Sequence, residues 1–253
     1  MLQAKARSQT TTDVVGLVLG DVADAARARR LAGDGARPFV TLAWAQSIDG
    51  SIALEAGRGL ALSGPESLSL THAVRASNDA ILVGIETLLA DDPRLDVRHW
   101  SGRSPAPVVL DSRLRTPPTA RVLAAAGPDR VVRIACTAAA DEARGAPLAE
   151  RGAHVLRLPA WPNGWVDLRA LLDALGAAGV ERLMVEGGAR VLTSFLGAAL
   201  GDYAIVTMAP RFLGGLGAVG ALDRARLPRF ASLTTHRLAD DIVLAGPLTW
   251  GAA

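Results

Sequence analysis

Cysteine, lysine and histidine are all scarce in this chain. Cys136 is the only cysteine among 253 residues, so no disulfide can form within the chain, and a reducing, cytoplasmic setting is expected. The four histidines, His72, His99, His154 and His236, are scattered. With one cysteine they make no close-spaced zinc cluster, and no metal is expected. A zinc deaminase needs H-x-E and P-C-x-x-C, and neither occurs. G-x-S-x-G and the Walker A loop are missing too. Long apolar runs are also lacking: none approaches the roughly 20 residues of a membrane span. The patch from Val14 to Leu19 is too short and poorly flanked for a signal peptide. No block of like charge appears and the net charge is +2, so nucleic-acid binding is not implied. Lys5 is the only lysine beside many arginines. That bias fits a GC-rich coding sequence better than a binding surface.

What is present is a large apolar fraction, 50% of residues, enough for a sizeable core. Residues 1–36 read as an N-terminal extension, polar and rich in Ala and Arg, with a helix from Asp21 to Leu31 or an arm. From Pro38 apolar runs alternate with helical periodicity. Strands are expected at Phe39–Ala45, Ala80–Val83, Pro107–Leu110, Val131–Ala135, His154–Leu158, Leu183–Val185 and Ala204–Met208. Helices are expected after Ser63, from Ile85 to Ala90, from Asp167 to Ala178 and after Gly188. Ser63 with Glu66 three residues on has the spacing of a capping box. Leu233–Leu238 and Ile242–Ala245 around Asp240-Asp241 read as a closing hairpin. The class is α/β, a mostly parallel sheet with an antiparallel edge, in a single domain over 37–253. The stretch from Leu213 to Leu222 reads as a loop over the site.

The organising stretch is Arg182–Leu192: an apolar strand, Glu186 at its end, Gly187 and Gly188, then Val191, Leu192, Phe195 and Leu196 at helical spacing. Glycines at a helix start let N–H groups approach a phosphate. A lone Gly-Gly is as often an ordinary tight turn. The pattern is not G-x-G-x-x-G, so the dinucleotide fingerprint does not apply. An acid at the carboxyl end of a strand tips the balance, because ligands of open α/β sheets bind there. Other polar residues collect at strand ends: Asp49 with Ser47, Thr87 with Asp91, and Asp111 with Ser112, while Arg75 and Arg98 flank the second group. Each has an ordinary alternative. Asp49 suits a turn, Asp91-Asp92-Pro93 suits a helix end, and Arg98 suits a solvated surface.

Read in order, these blocks resemble one family. They are Trp44-Ala-Gln46-Ser47-Ile-Asp49-Gly50, Arg75-Ala-x-x-Asp79-Ala-Ile-Leu-Val-Gly84, Thr87-Leu-Leu-Ala-Asp91-Asp92-Pro93-Arg94-Leu95-x-Val-Arg98, Val109-Leu-Asp111-Ser112, Val185-Glu186-Gly187-Gly188 and Ala209-Pro210. The family is the reductase domain of bacterial riboflavin-biosynthesis deaminase/reductases, with standalone archaeal and fungal relatives and a dihydrofolate reductase-like fold. The resemblance runs from about Arg37 to Pro247. It implies NADPH-dependent reduction of a ribosylaminopyrimidine 5′-phosphate, 5-amino-6-(5-phosphoribosylamino)uracil or its diaminopyrimidinone precursor, to the ribitylamino form. Carried over position by position, Asp91 and Glu186 are the catalytic candidates. Arg75, Leu95, Arg98 and Glu186 would contact substrate. Gln46, Thr87, Asp91 and Ser112 would contact NADPH, and Gly187, Gly188, Ala189, Arg190, Val191, Leu192, Thr193 and Ser194 its pyrophosphate. Arg113 and Arg115 follow Ser112, within reach of a 2′-phosphate. The family further implies a homodimer and a separate deaminase protein. Two departures stand out. Ala43 takes the place of a lysine usual in bacterial members, and the loop Gly57–Leu62 lacks polar and aromatic residues that many members place near the ligands. A pterin-type reductase, a reductase of another pyrimidine pathway and a non-catalytic nucleotide-binding module remain alternatives.

Overall fold

The computed structural model describes residues 10–57 and 60–251. Its elements are α1 (Thr11–Leu31), β1 (Phe39–Ser47), β2 (Ser51–Ala53), α2 (Pro65–Ala76), β3 (Ala80–Gly84), α3 (Ile85–Asp91), β4 (Ala106–Leu110), β5 (Arg133–Thr137), α4 (Ala146–Glu150), β6 (His154–Leu158), α5 (Leu168–Ala177), β7 (Arg182–Val185), α6 (Ala189–Gly197), β8 (Tyr203–Ala209), β9 (Leu216–Gly217), β10 (Leu227–Phe230), β11 (Thr234–Leu238) and β12 (Asp241–Gly251). The main sheet has the order β10-β12-β8-β1-β7-β3-β4-β5-β6, with β11 also on β12. From β8 to β6 every neighbouring pair is parallel. β12 runs antiparallel to β8, β10 and β11. The mostly parallel sheet with flanking helices and a C-terminal antiparallel hairpin is therefore the class read from the sequence.

The period of two along β1 builds both layers. Val40 and Leu42 point to one face, with Leu171, Leu172 and Phe195 of α5 and α6. Phe39 and Ala43 point to the other, with Val14 and Val18 of α1 and Leu70 of α2. The inner strands are buried on both faces and read as continuous apolar runs, as parallel strands do: all of β3 is buried. A further apolar cluster joins Val83, Leu88, Val109 and Ile134 under α3 and α4.

Four local readings change. The N-terminal helix begins at Thr11, not Asp21, because Thr10 and Asp13 form a reciprocal capping box. Its Val14, Val15, Val18 and Val22 are buried, so the valines of the patch from Val14 to Leu19 are core while Leu17 is exposed; residues 1–9 of the extension lie outside the described residues. The capping box expected from Ser63 and Glu66 does not form. Helix α2 starts one residue later, with Gly64 as N-cap, Pro65 in its first turn and no side-chain cap. The Gly64 N–H instead donates to Asp241 Oδ2 at 2.8 Å. The closing hairpin is longer than read, since β12 continues to Gly251 and also pairs with β10. The stretch Leu213–Leu222 contains β9, which pairs with β2 as a small separate sheet.

Candidate active site

Parallel pairing puts the carboxyl ends of β1, β3, β4 and β7 on one side of the sheet, and a cleft of about 950 Å³ opens there. Residues that follow these strands line it: Glu86 and Thr87 after β3, Asp111 and Ser112 after β4, and Glu186 to Val191 after β7. Side-chain packing, more than ligand approach, dictates the glycines. A Cβ on Gly187 would run into the Val191 side chain, and one on Gly84 would come within 2.7 Å of Val191 Cγ2. Gly188 is the N-cap of α6, with an extended backbone (φ −70°). A Cβ there would come within 3.3 Å of Thr87 Oγ1. The first-turn N–H groups of α6 thus open on the cleft, where a helix has donors without intrahelical acceptors.

Glu186 is held by Arg75. The guanidinium donates from Nε to Oε1 at 2.7 Å and from Nη2 to Oε2 at 2.6 Å, while Nη1 donates to the Asp96 carbonyl at 3.0 Å. The two side chains are only 13% and 16% exposed. Burial pushes the Arg75 guanidinium down, but the carboxylate beside it more than offsets this and holds it above its ordinary value. Asp91 is different. It lines the cleft and is exposed to solvent, yet the cleft walls desolvate it enough to raise its carboxyl above the usual range. Among the described residues it has no hydrogen-bond or ion-pair partner. The next residue ends the helix: Asp92 is the left-handed C-cap (φ 39°), and Pro93 follows. The helix-end role and a place in the cleft therefore fall on adjacent aspartates.

The cleft wall includes Thr87, Asp91, Ser112, Glu186, Gly187, Gly188, Ala189, Arg190, Val191 and Ser194. The other sequence-derived candidates lie off it. Gln46 Oε1 accepts from Trp44 Nε1 at 2.7 Å, and Trp44 itself lines the cleft. Leu192 is in the core. Thr193 Oγ1 donates to the Ala189 carbonyl at 2.6 Å and accepts from Gly220 N at 2.8 Å, tying α6 to the loop after β9. Arg98 pairs with Asp96 at 2.5 Å and is 48% exposed. Leu95 is buried at φ 55°, a left-handed conformation that costs a residue other than glycine on the order of 1–3 kcal/mol. Arg130 fixes that loop, donating to the Leu95 carbonyl at 2.7 Å and to the Pro105 carbonyl at 3.0 Å. Ser112 Oγ accepts from Val166 N at 3.1 Å. Arg113 and Arg115 line the cleft as expected from their place after Ser112, and Ala43 is in the wall. In the loop Gly57–Leu62, Gly57 and Leu60 line the cleft, while Arg58 and Gly59 lie outside the described residues.

Among the wall residues that escaped the sequence reading are Glu86, Trp161 and Trp165. The signal for the tryptophans was the segment Trp161-Pro-Asn-Gly-Trp165, two large aromatics around an Asn-Gly turn, a place where core residues are not expected.

Comparison with known proteins bears on this arrangement. The family model of the RibD C-terminal domain matches residues 38–244. The 2,5-diamino-6-ribosylamino-4(3H)-pyrimidinone 5′-phosphate reductase of Methanothermobacter thermautotrophicus is 37% identical over 217 residues, covering 82% of this chain and 97% of the relative. The enzyme of the same name from Archaeoglobus fulgidus is 38% identical over 189 residues, covering 71% and 83%. Among solved structures, Acinetobacter baumannii RibD superposes with a TM-score of 0.73 at 28% identity, over 85% of this chain and 59% of that one.

Proposed function

Because the chain belongs to the RibD C-terminal domain family, we propose that it is an NADPH-dependent reductase of riboflavin biosynthesis. Its proposed substrate is a ribosylaminopyrimidine 5′-phosphate, either the diaminopyrimidinone or the deaminated aminouracil. The observation that carries this reading is the cleft. It joins the open N-terminus of α6, the arginines after β4 and Glu186 on one wall, with Arg75 holding Glu186 from behind it. The donor set suits a dinucleotide: helix N–H groups for a pyrophosphate and guanidinium groups for a further phosphate. The volume of about 950 Å³ lies at the upper end for small-molecule sites, as two ligands side by side require.

When bound, the nicotinamide would supply hydride to the sugar C1′ carbon. The protein's part is to orient the two ligands, exclude water and move a proton. Thr87 and Asp91 sit on α3 beside Gly188, and we assign them to the nicotinamide side. Asp91, with its raised carboxyl, is the proton donor in this reading. Glu186 accepts from substrate hydroxyl or ring N–H groups with the lone pairs that Arg75 leaves. Arg98 leaves Asp96 to meet the substrate phosphate, and Leu95, whose side chain is buried, shapes the loop that carries Arg98 to the substrate. Ala43 contributes only a methyl group, so arginines carry the charge recognition. Residues 37–253 act as one domain with α1 packed on it. A cytoplasmic homodimer, with deamination carried out by another protein, completes the proposal. Light scattering at micromolar concentration checks the dimer, and a monomer would refute it.

The test offers purified protein and NADPH the diaminopyrimidinone, the aminouracil and dihydrofolate in parallel, following nicotinamide absorbance. Turnover of either pyrimidine phosphate supports the proposal. Turnover of dihydrofolate alone would move the chain to pterin chemistry, and absence of turnover with all three would favour a binding module.

A further inference from the structure

At one end of the cleft the wall carries Glu86, Arg115, Arg190 and Trp165. Glu86 Oε1 accepts from Arg115 Nη2 at 2.5 Å and lies 3.6 Å from Arg190 Nη1. One carboxylate oxygen thus sits between two guanidinium groups, on a side chain that is 56% exposed. The Arg190 guanidinium also lies over the Trp165 ring, 5.2 Å from its centroid. Arg190 is in the first turn of α6. That is the positive end of a helix, where a cation is disfavoured unless an anion stands near it. Glu86 is the anion it has in this structure.

We infer that Glu86 occupies the seat of the cofactor's ribose 2′-phosphate, which makes it the residue that sets cofactor selectivity. This rests on the nicotinamide-dinucleotide reading of the cleft. A phosphate offers three acceptor oxygens and up to two negative charges, so it satisfies both arginines better than one carboxylate oxygen does. The ion pairs Glu86 makes are solvent-exposed and weak, so they yield readily to a ligand. An unphosphorylated ribose brings no charge and leaves Glu86 in place. The Trp165 ring, over which Arg190 lies, holds that guanidinium beside Glu86.

Calorimetric titration with 2′,5′-ADP and with ADP tests this without turnover. Glu86→Gln removes the internal anion from an exposed position and keeps the side chain's shape. It should tighten 2′,5′-ADP by about fivefold, the release of one exposed ion pair, and leave ADP within about twofold. Arg190→Ala should weaken 2′,5′-ADP by about tenfold and ADP far less. Unchanged or weaker binding of 2′,5′-ADP to Glu86→Gln overturns the inference while leaving the cofactor reading intact. Failure of the unaltered protein to bind either ligand overturns both.

Discussion

The Arg75–Glu186 pair decides whether the acid at the end of β7 is a shaped acceptor or only a strand cap. A double-mutant cycle isolates it. Glu186→Gln removes the charge but keeps the shape, and Arg75→Met removes the cation but keeps much of the stem. The pair is bidentate, at 2.6 and 2.7 Å, with both side chains less than a fifth exposed. Breaking such a pair strands one charge in a poorly solvated site. With the Asp96 carbonyl still holding Arg75, Glu186→Gln should cost about 2–4 kcal/mol. For a domain of this size that is a fall in Tm of roughly 4–16 °C. The double mutant strands no charge, so the coupling between the two changes should be about 2–3 kcal/mol. Urea denaturation measures it. Turnover and 2′,5′-ADP affinity, measured in parallel, separate stability from function. The functional assignment expects Glu186→Gln to lose turnover while 2′,5′-ADP binding stays the same. A coupling below about 0.5 kcal/mol would show that the pair does not form in solution. Loss of 2′,5′-ADP binding alone would show that Glu186 belongs to the cofactor side.

Other expectations follow from the same geometry. Partial desolvation raises the Asp91 carboxyl, so the folded state keeps its proton to higher pH than the unfolded chain. Its contribution to stability is present below the unfolded value and lost as pH rises through the folded one. If Asp91 donates the proton, turnover should fall with rising pH across that same interval. Asp91→Asn should remove the turnover limb while holding stability at neutral pH or improving it. An unchanged pH profile in that variant would exclude the role. Arg98→Ala should weaken a phosphorylated substrate by about 2–3 kcal/mol and spare its dephosphorylated analogue. Equal losses for both would make Arg98 structural. Gly187→Ala places a Cβ against Val191. It should cost on the order of 1–3 kcal/mol in urea denaturation, because the β7–α6 turn must open. A neutral result would mean that Val191 can move aside.

The strand-glycine-helix stretch was legible because everything that makes it is local: an apolar run, two glycines and helical spacing. What surrounds it was not. Arg75 and Glu186 are 111 residues apart in sequence, and only the parallel pairing of β3 with β7 brings α2 within reach of β7's end. Trp165 and Arg190 likewise meet through the order of the sheet, not through spacing. At the N-terminus the helix signal was present in Thr10 and Asp13, but Gly16, Gly20 and the β-branched residues around them, all weak helix formers, hid an apolar stripe of four valines. Ser63 had the right spacing and lost the cap because Pro65 occupies the first turn and moves the N-cap to Gly64. β2 and β9 have only three and two residues, too few for any period to show.

Acid identity was the least reliable guide, and the backbone explains why. Most strand-end aspartates here spend their oxygens on N–H groups that the sheet leaves unpaired. Asp79 accepts from the N–H groups of Glu181 and Arg182, both at 2.9 Å. Asp202 takes Val40 N at 2.7 Å. Asp111 commits only Oδ2, to Thr116 N at 2.7 Å, and its buried Oδ1 has no partner among the described residues. Asp49, which looked like a turn former, accepts from the Ser47 hydroxyl and from the N–H groups of Leu213 and Gly214. The Ser47 hydroxyl and those N–H groups hold its carboxyl well below the usual range, and the bonds pin the segment that carries Leu216 into the cleft wall. A carboxylate oxygen committed in this way has no lone pair left to offer a substrate. Asp91 and Glu186 differ from Asp49, Asp79 and Asp202 on that criterion. One has no partner among the described residues, and the other faces a guanidinium that leaves its outward lone pairs open. Commitment of the oxygens, rather than position at a strand end, therefore separates the acids that build this site from those suited to work in it.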